Sequence, residues 1–152
     1  MATTLNVVAN ISADGVRVFE EVLVEETEGG EYVLLRSPGL TPGMAAGDQF
    51  LLNPDQTTRV THRGRNVCVQ IFAAARIDLI ETDFAPEFAR LGGRLDGKAP
   101  KELVYTIPVT AGFRSIEHVL ENMLTRYPDA EWYYGNVYDP EDGETPLNWW
   151  VE

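Results

Sequence analysis

Short Val-rich runs of alternating apolar and polar residues fill the front half of the chain, and a helical period replaces them behind it. Residues 1–15 show no sustained pattern and read as a loose start. Residues 16–27 (VRVFEEVLVEET) are β-branched and carry no helix cap, which predicts a long strand. Gly29-Gly30 supplies the positive φ of a tight turn, and residues 32–36 read as the returning strand. Residues 37–48 contain two prolines and three glycines, too many for helix or strand, so they form a loop. Three more strands follow at residues 49–53, 58–62 and 67–72, with turns at Asn53-Pro54-Asp55 and Gly64-Arg65-Asn66. Five short strands with tight turns predict a small bent antiparallel β-sheet or barrel.

Behind Phe72, the spacing Phe84, Phe88, Leu91 predicts a helix over 83–91, with Asp83 as its cap and Gly92-Gly93 as its stop. Residues 93–97 and 102–108 read as strands. Ile116, Val119, Leu120, Met123, Leu124 and Tyr127 make one stripe of a helix capped by Ser115 and ended by Pro128. Residues 130–138 form the last strand. The order strand, helix, strand, strand, helix, strand from about Val67 onward predicts a ferredoxin-like split βαβ sandwich, with strand 67–72 shared by both halves. The expectation is an α+β chain with a β-rich half at 1–72 and an α+β half at 73–152, packed as one compact unit.

Charge narrows the function. Twelve Lys and Arg stand against 24 Asp and Glu in 152 residues, a net charge of −12. Nucleic acid and anionic membrane surfaces demand a basic cluster that the sequence lacks. No apolar run reaches the ~18–20 residues needed to cross a bilayer, and Met1-Ala2-Thr3-Thr4 lacks the basic start of a secretory signal, so a cytoplasmic location is expected. The lone Cys68 excludes an internal disulfide and a multi-thiolate zinc site. His62 and Cys68 lie on neighbouring predicted strands joined by the 63–66 turn and could face one another as a thiol–imidazole pair, but Cys68 between two valines reads as a buried hydrophobe. His118 is a solvated helix residue. No metal-ligand spacing is present: the acidic run from Asp139 places glycine one position too early for an EF-hand. No cofactor and no enzymatic constellation are expected.

The densest feature is the C-terminus. Residues 127–152 hold seven carboxylates, no Lys or Arg, all three tryptophans and seven of the fifteen aromatics. Tyr133 and Tyr134 on one strand point to opposite faces, so Tyr133 faces out if Trp132 and Tyr134 pack on the helices. Rigid aromatic anchors beside charges of one sign suit a basic protein partner. The expected contact residues are Glu131, Tyr133, Tyr138, Asp139, Glu141, Asp142, Trp149 and Trp150. Cover for one end of the sheet is the competing role for Trp149 and Trp150. Glu20, Glu21, Glu25, Glu26, Glu28 and Glu31 read as a solvated edge strand.

The alternative function is a small-ligand-sensing or weakly catalytic domain, with His62, Arg63, Arg65 and Asn66 meeting a small anionic metabolite in a groove between the halves. A third reading, a subunit of a larger assembly, predicts a homo-oligomer formed through an exposed edge strand.

The runs LGGRLDG (91–97), LVYTIPV (103–109) and EWYYGNV (131–137), with PGMAAGD (42–48) and RGRNV (63–67), make the chain resemble a family of small bacterial proteins defined only as a domain of unknown function. That resemblance spans most of the chain from about Val16. It implies a bacterial, cytoplasmic protein and transfers no catalytic residue. In architecture the second half is also loosely similar to a small acidic inhibitor of a bacterial ribonuclease. Taken together, these readings favour a non-enzymatic acidic protein that neutralises a basic toxin or enzyme, in the manner of an immunity or inhibitor protein.

Overall fold

The computed structural model describes residues 1–151, in which the chain forms two antiparallel sheets and two helices. The first sheet is an open meander of β1 (Ala2–Ile11), β2 (Arg17–Glu26), β3 (Tyr32–Leu34), β4 (Gln49–Leu52) and β5 (Thr58–His62), each strand paired with the next. It does not close into a barrel. The N-terminal residues are not loose: Leu5 and Val7 pair with Val22 and Glu20, and burial of Val7, Val22, Val24, Leu34, Met44 and Phe50 in one cluster gives β1 its partner face. β2 is therefore an interior strand, and the glutamates along it do not mark a sheet edge.

The second sheet holds β6 (Asn66–Phe72), β7 (Arg94–Ala99), β8 (Glu102–Pro108) and β9 (Glu131–Tyr134) in the order β7-β8-β6-β9, antiparallel throughout. β6 pairs with β8 and β9 and so belongs to this sheet, and the chain changes sheets at residues 63–65. Helices α1 (Ile77–Arg90) and α2 (Phe113–Arg126) cover one face. Val67, Val69, Ile71, Leu103, Tyr105 and Ile107 alternate onto that face and share a core with Ile80, Phe84 and Phe88 of α1 and with Ile116, Leu120 and Met123 of α2. α1 begins six residues before the expected cap, because Ile77 and Ile80 extend the Phe84–Phe88 stripe backwards and the interior Pro86 lies on the exposed side. Asp83 sits within the helix, where its carboxylate accepts from Arg126 (3.0 Å) and from the Tyr127 hydroxyl, tying α1 to α2. α2 starts at Phe113 behind Gly112 (φ 86°), and Ser115 is already inside it.

The opposite face of the second sheet presents Cys68, Gln70, Val104 and Thr106. Residues 37–48 lie across it as a strap whose ends are joined by Leu34 N–H to Asp48 O (2.9 Å) and Gly47 N–H to Leu34 O (2.6 Å). Met44 packs into the first sheet's core, and Ala45 packs on Cys68 and Val104 of the second. Backbone polar groups buried this way need partners. Ser37 N–H donates to Asp96 (2.9 Å), Gln70 donates to Gly39 O (3.2 Å), Asn66 to Ala46 O (2.8 Å) and Arg63 to Gly43 O (2.8 Å). Asp48, only 1% exposed, accepts from Ala45 N–H (3.0 Å), Gly64 N–H (2.8 Å) and Arg63 (3.2 Å). Burial raises its carboxyl above the usual value, against the pull of those donors.

At the crossing, a Cβ on Gly64 would lie 2.4–2.6 Å from Gly47 backbone atoms, so only glycine lets the two segments touch. Gly64→Ala should lower the unfolding free energy by about 3 kcal/mol or more in urea denaturation. Gly29→Ala, whose Cβ would meet nothing nearer than 3.9 Å, should change it by less than about 1 kcal/mol.

Candidate functional site

β9 stops at Tyr134 because the chain replaces a strand residue with a side chain that imitates one. Gly135 N–H still donates to Cys68 O (2.8 Å), and a Cβ there would strike the Cys68 sulfur at 2.7 Å. The fully buried Asn136 then continues the ladder with its amide group: Oδ1 accepts from Cys68 N–H (2.9 Å) and Nδ2 donates to Asn66 O (2.8 Å). Its backbone carbonyl accepts from the Trp149 indole (2.8 Å). One residue thus fixes the direction in which the acidic, aromatic C-terminus leaves the sheet.

Alternation along β9 has the expected sense. Trp132 and Tyr134 pack against the helical core, and Tyr133 is 53% exposed with its ring edge on Phe72. Tyr134 donates to Glu117 of α2 (2.7 Å), and Tyr133 donates to Glu131 (3.1 Å). Both phenols are raised, Tyr134 chiefly by burial and Tyr133 by its bond to the Glu131 carboxylate. Beyond β9, Tyr138 bridges to Pro146, and the turn between them is knit by its own acids. Asp139 accepts from Glu141 N–H (3.0 Å), while Asp142 accepts from Glu144 N–H (2.8 Å) and Thr145 N–H (2.9 Å). With the Thr145 hydroxyl added, these donors hold the Asp142 carboxyl down at about 2. Glu141 and Asp142 are exposed on this preformed turn.

A groove of about 490 Å³ lies between the turn and the strap. Trp132, Tyr133, Tyr134 and Tyr138 line it with Glu117 and Asp139, and Pro42 and Pro140 close its side; no Lys or Arg is among its lining residues. Trp149 and Trp150 do not line it, although Trp150 lines a smaller cavity with Glu117, Tyr134 and Tyr138. Both tryptophans are half-buried against the helical core, Trp150 edge-on to Phe113 (5.1 Å), with the Arg63 guanidinium over Trp149 (5.9 Å). Of the expected contact residues, Tyr133, Tyr138 and Asp139 line the groove, Glu131 is bonded to Tyr133 outside its lining, Glu141 and Asp142 lie on the turn, and the two tryptophans pack on the helical core.

His62, Arg63, Arg65 and Asn66 fall at the crossing between sheets. Arg63 and Asn66 bind the strap, Arg65 (φ 62°) reaches the carbonyls of Trp149 (3.4 Å) and Trp150 (3.3 Å), and exposed His62 contacts Thr61. His62 and Cys68 lie in different sheets, so they do not pair. Burial pushes the Cys68 thiol up to about 12, as suits a small core residue. Among the described residues there is no group of three or more metal-ligating side chains, and no helix is long and apolar enough to cross a membrane.

Sequence reasoning missed a second cleft, of about 380 Å³, where Glu20 of β2 and Glu102 of β8 meet across the strap. These residues are far apart in the chain and sit in different sheets, so no local spacing signals them.

A family model described as Domain of unknown function (DUF4265) matches residues 20–127, which include most of both sheets, the strap and both helices. The chain belongs to that family. The match ends before β9, so the acidic, aromatic terminus lies outside the matched segment. A crystal structure of a hypothetical protein from Neisseria gonorrhoeae resembles this one with a TM-score of 0.71 over 89% of this chain and 94% of that one. Its sequence identity is 14%, so the likeness is one of fold alone. No curated protein matches the chain significantly.

Asn136→Ala strands the Cys68 amide and the Asn66 carbonyl in the interior. It should cost about 2–4 kcal/mol in urea unfolding and shift the tryptophan emission as Trp149 loosens.

Proposed function

We propose that this protein is a non-enzymatic, acidic binding protein that neutralises a more basic protein, as an immunity or inhibitor protein does for a toxin or enzyme. The observation that carries the reading is the C-terminal groove, where two exposed tyrosines, Tyr133 and Tyr138, stand beside Glu117 and Asp139 with no cation in the lining. An arginine or lysine of a partner finds there both ring faces and carboxylates. The exposed carboxylates of Glu131, bonded to Tyr133, and of Glu141 and Asp142 on the turn add attraction at longer range, and the net charge of −12 steers encounter with a positive surface. The turn is already hydrogen-bonded in the free protein, so little order has to be gained on binding. Trp149 and Trp150 support the surface from behind.

In this reading the protein works in the cytoplasm, in keeping with its single buried thiol. The second sheet with its helices is best read as ferredoxin-like, supported by the order β7-β8-β6-β9 and by one helix in each of the two crossovers. The small-anion reading has less support, because Arg63 and Asn66 spend their donors on the strap.

Charge reversal at Glu141 and Glu144 tests the proposal, since among the described residues neither side chain carries one of the turn's hydrogen bonds. Capture from lysate of the source bacterium should yield a basic protein whose association slows about tenfold with E141K/E144K and in about 0.5 M salt. Tyr133→Ala should instead speed dissociation. A captured partner indifferent to all three changes would contradict the proposal.

A further inference from the structure

The strap that walls the groove is held by one carboxylate and abutted by a second from the opposite sheet. Glu20 of β2 accepts the consecutive amides of Gly39 (2.8 Å), Leu40 (3.1 Å) and Thr41 (2.8 Å), and the Thr41 hydroxyl (2.7 Å). Such a run of amides around one anion is a strong local clamp. Glu102 of β8 presses on the same turn from the other sheet, its Oε1 3.1 Å from the position a Cβ on Gly39 would take. Its Oε2 is shielded from solvent and has no hydrogen-bond partner among the described residues.

The charges around Glu102 offer it no counter-ion. Glu20 and Glu21 face it from β2, Asp96 and Lys98 from β7, Arg36 from the start of the strap, and Lys101 follows in the turn before β8. Lys98 is held by Asp78 and Glu81 of α1 (2.5 and 2.7 Å), and Asp96 is occupied by Arg94, Ser37 and Thr106. Arg36 is exposed and pairs with neither carboxylate. The neighbouring Cys68 stays neutral. Burial, with the charge of Glu20 added, lifts the Glu102 carboxyl to about 7.

The clamped turn runs directly into the groove. Pro42 is one of its lining residues, Gly43 N–H donates to Gly135 O (2.8 Å), and the Gly43 backbone abuts Pro140. We propose that Glu102 is a proton-operated latch on the strap, whose ionisation loosens the turn held by Glu20 and, through it, the Pro42–Gly43 wall of the acidic, aromatic groove. The latch stands on the contacts above; its meaning as regulation of partner binding rests on the function proposed for the groove.

When Glu102 is protonated, Glu20 keeps its four donors with no second anion against the turn from β8. Loss of the proton places a second negative charge in a poorly solvated site, and the pair relieves the repulsion by turning a carboxylate out to water. Turning Glu20 out breaks its bonds to residues 39–41, and turning Glu102 out removes the side chain that abuts Gly39. The sign follows from linkage. The folded pKa lies above the ordinary 4.5, so the native state holds a proton that the unfolded chain has released. Stability therefore falls as pH rises from about 4.5 to about 7, and the penalty is complete above that window.

The test is amide hydrogen exchange on the full chain between pH 5.5 and 8.5, corrected for intrinsic rates, together with a ¹³C titration of the Glu102 carboxyl. Protection at Gly39, Leu40, Thr41 and Gly43 should fall about tenfold or more between pH 5.5 and 7 and level off above 7, and should be flat with pH in Glu102→Gln. The Glu102 carboxyl should titrate near 7 in the unmodified protein, a readout independent of any variant. Titration near 4.5, or an equal loss of protection in Glu102→Gln, overturns the latch. A fall at residues 39–41 that spares Gly43 overturns its reach to the groove. No partner enters these measurements, so a failure of the binding proposal registers separately, as an indifferent partner.

Discussion

Two sheets meet in this protein through a strip of irregular backbone, and everything else depends on how that strip is satisfied. Residues 37–48 intervene between the sheets, sending Met44 into the core of the first and laying Ala45 on Cys68 and Val104 of the second. A buried loop is costly unless each amide and carbonyl finds a partner. Side chains from both sheets supply them, Glu20 from β2 and Asn66, Gln70 and Asp96 from the second sheet, while Asp48 closes the strap on itself and on Gly64. Most of these are single groups without substitutes, which makes the seam specific as well as stable.

The same economy shapes the surface read as functional. Asn136 ends β9 by taking over its hydrogen bonds, and this turns the chain so that an acid-rich turn faces the strap across a groove. The groove is therefore a product of the seam: one wall is strap, the other is terminus. A change in the strap, such as the charge state of Glu102, has a short route to the tyrosines that the binding proposal relies on.

Much of this was legible in the residues. The apolar stripe of α2, the Gly29-Gly30 hairpin and the outward aim of Tyr133 follow from periodicity and turn chemistry, and the structure has all three. What failed did so for definite reasons. Residues 1–15 carry no pattern of their own, and β1 exists because β2 offers it a partner. Gly64-Arg65-Asn66 has the composition of a hairpin turn, yet the chain there passes to another sheet, with Gly64 packed so closely on the Gly47 backbone that only glycine fits. Asp83 resembles a helix cap, but two buried isoleucines upstream carry the helix past it. The Glu20–Glu102 pair joins residues from separate sheets through a loop, a relation that no spacing rule encodes.

If the strap makes the two sheets one cooperative unit, differential scanning calorimetry measures that directly. A single transition is expected, with calorimetric and van't Hoff enthalpies equal and with tryptophan emission, which reports only on the C-terminal half, melting at the same temperature. Two resolved transitions, the tryptophans following only one of them, would show that the sheets fold separately and that the seam does not couple them.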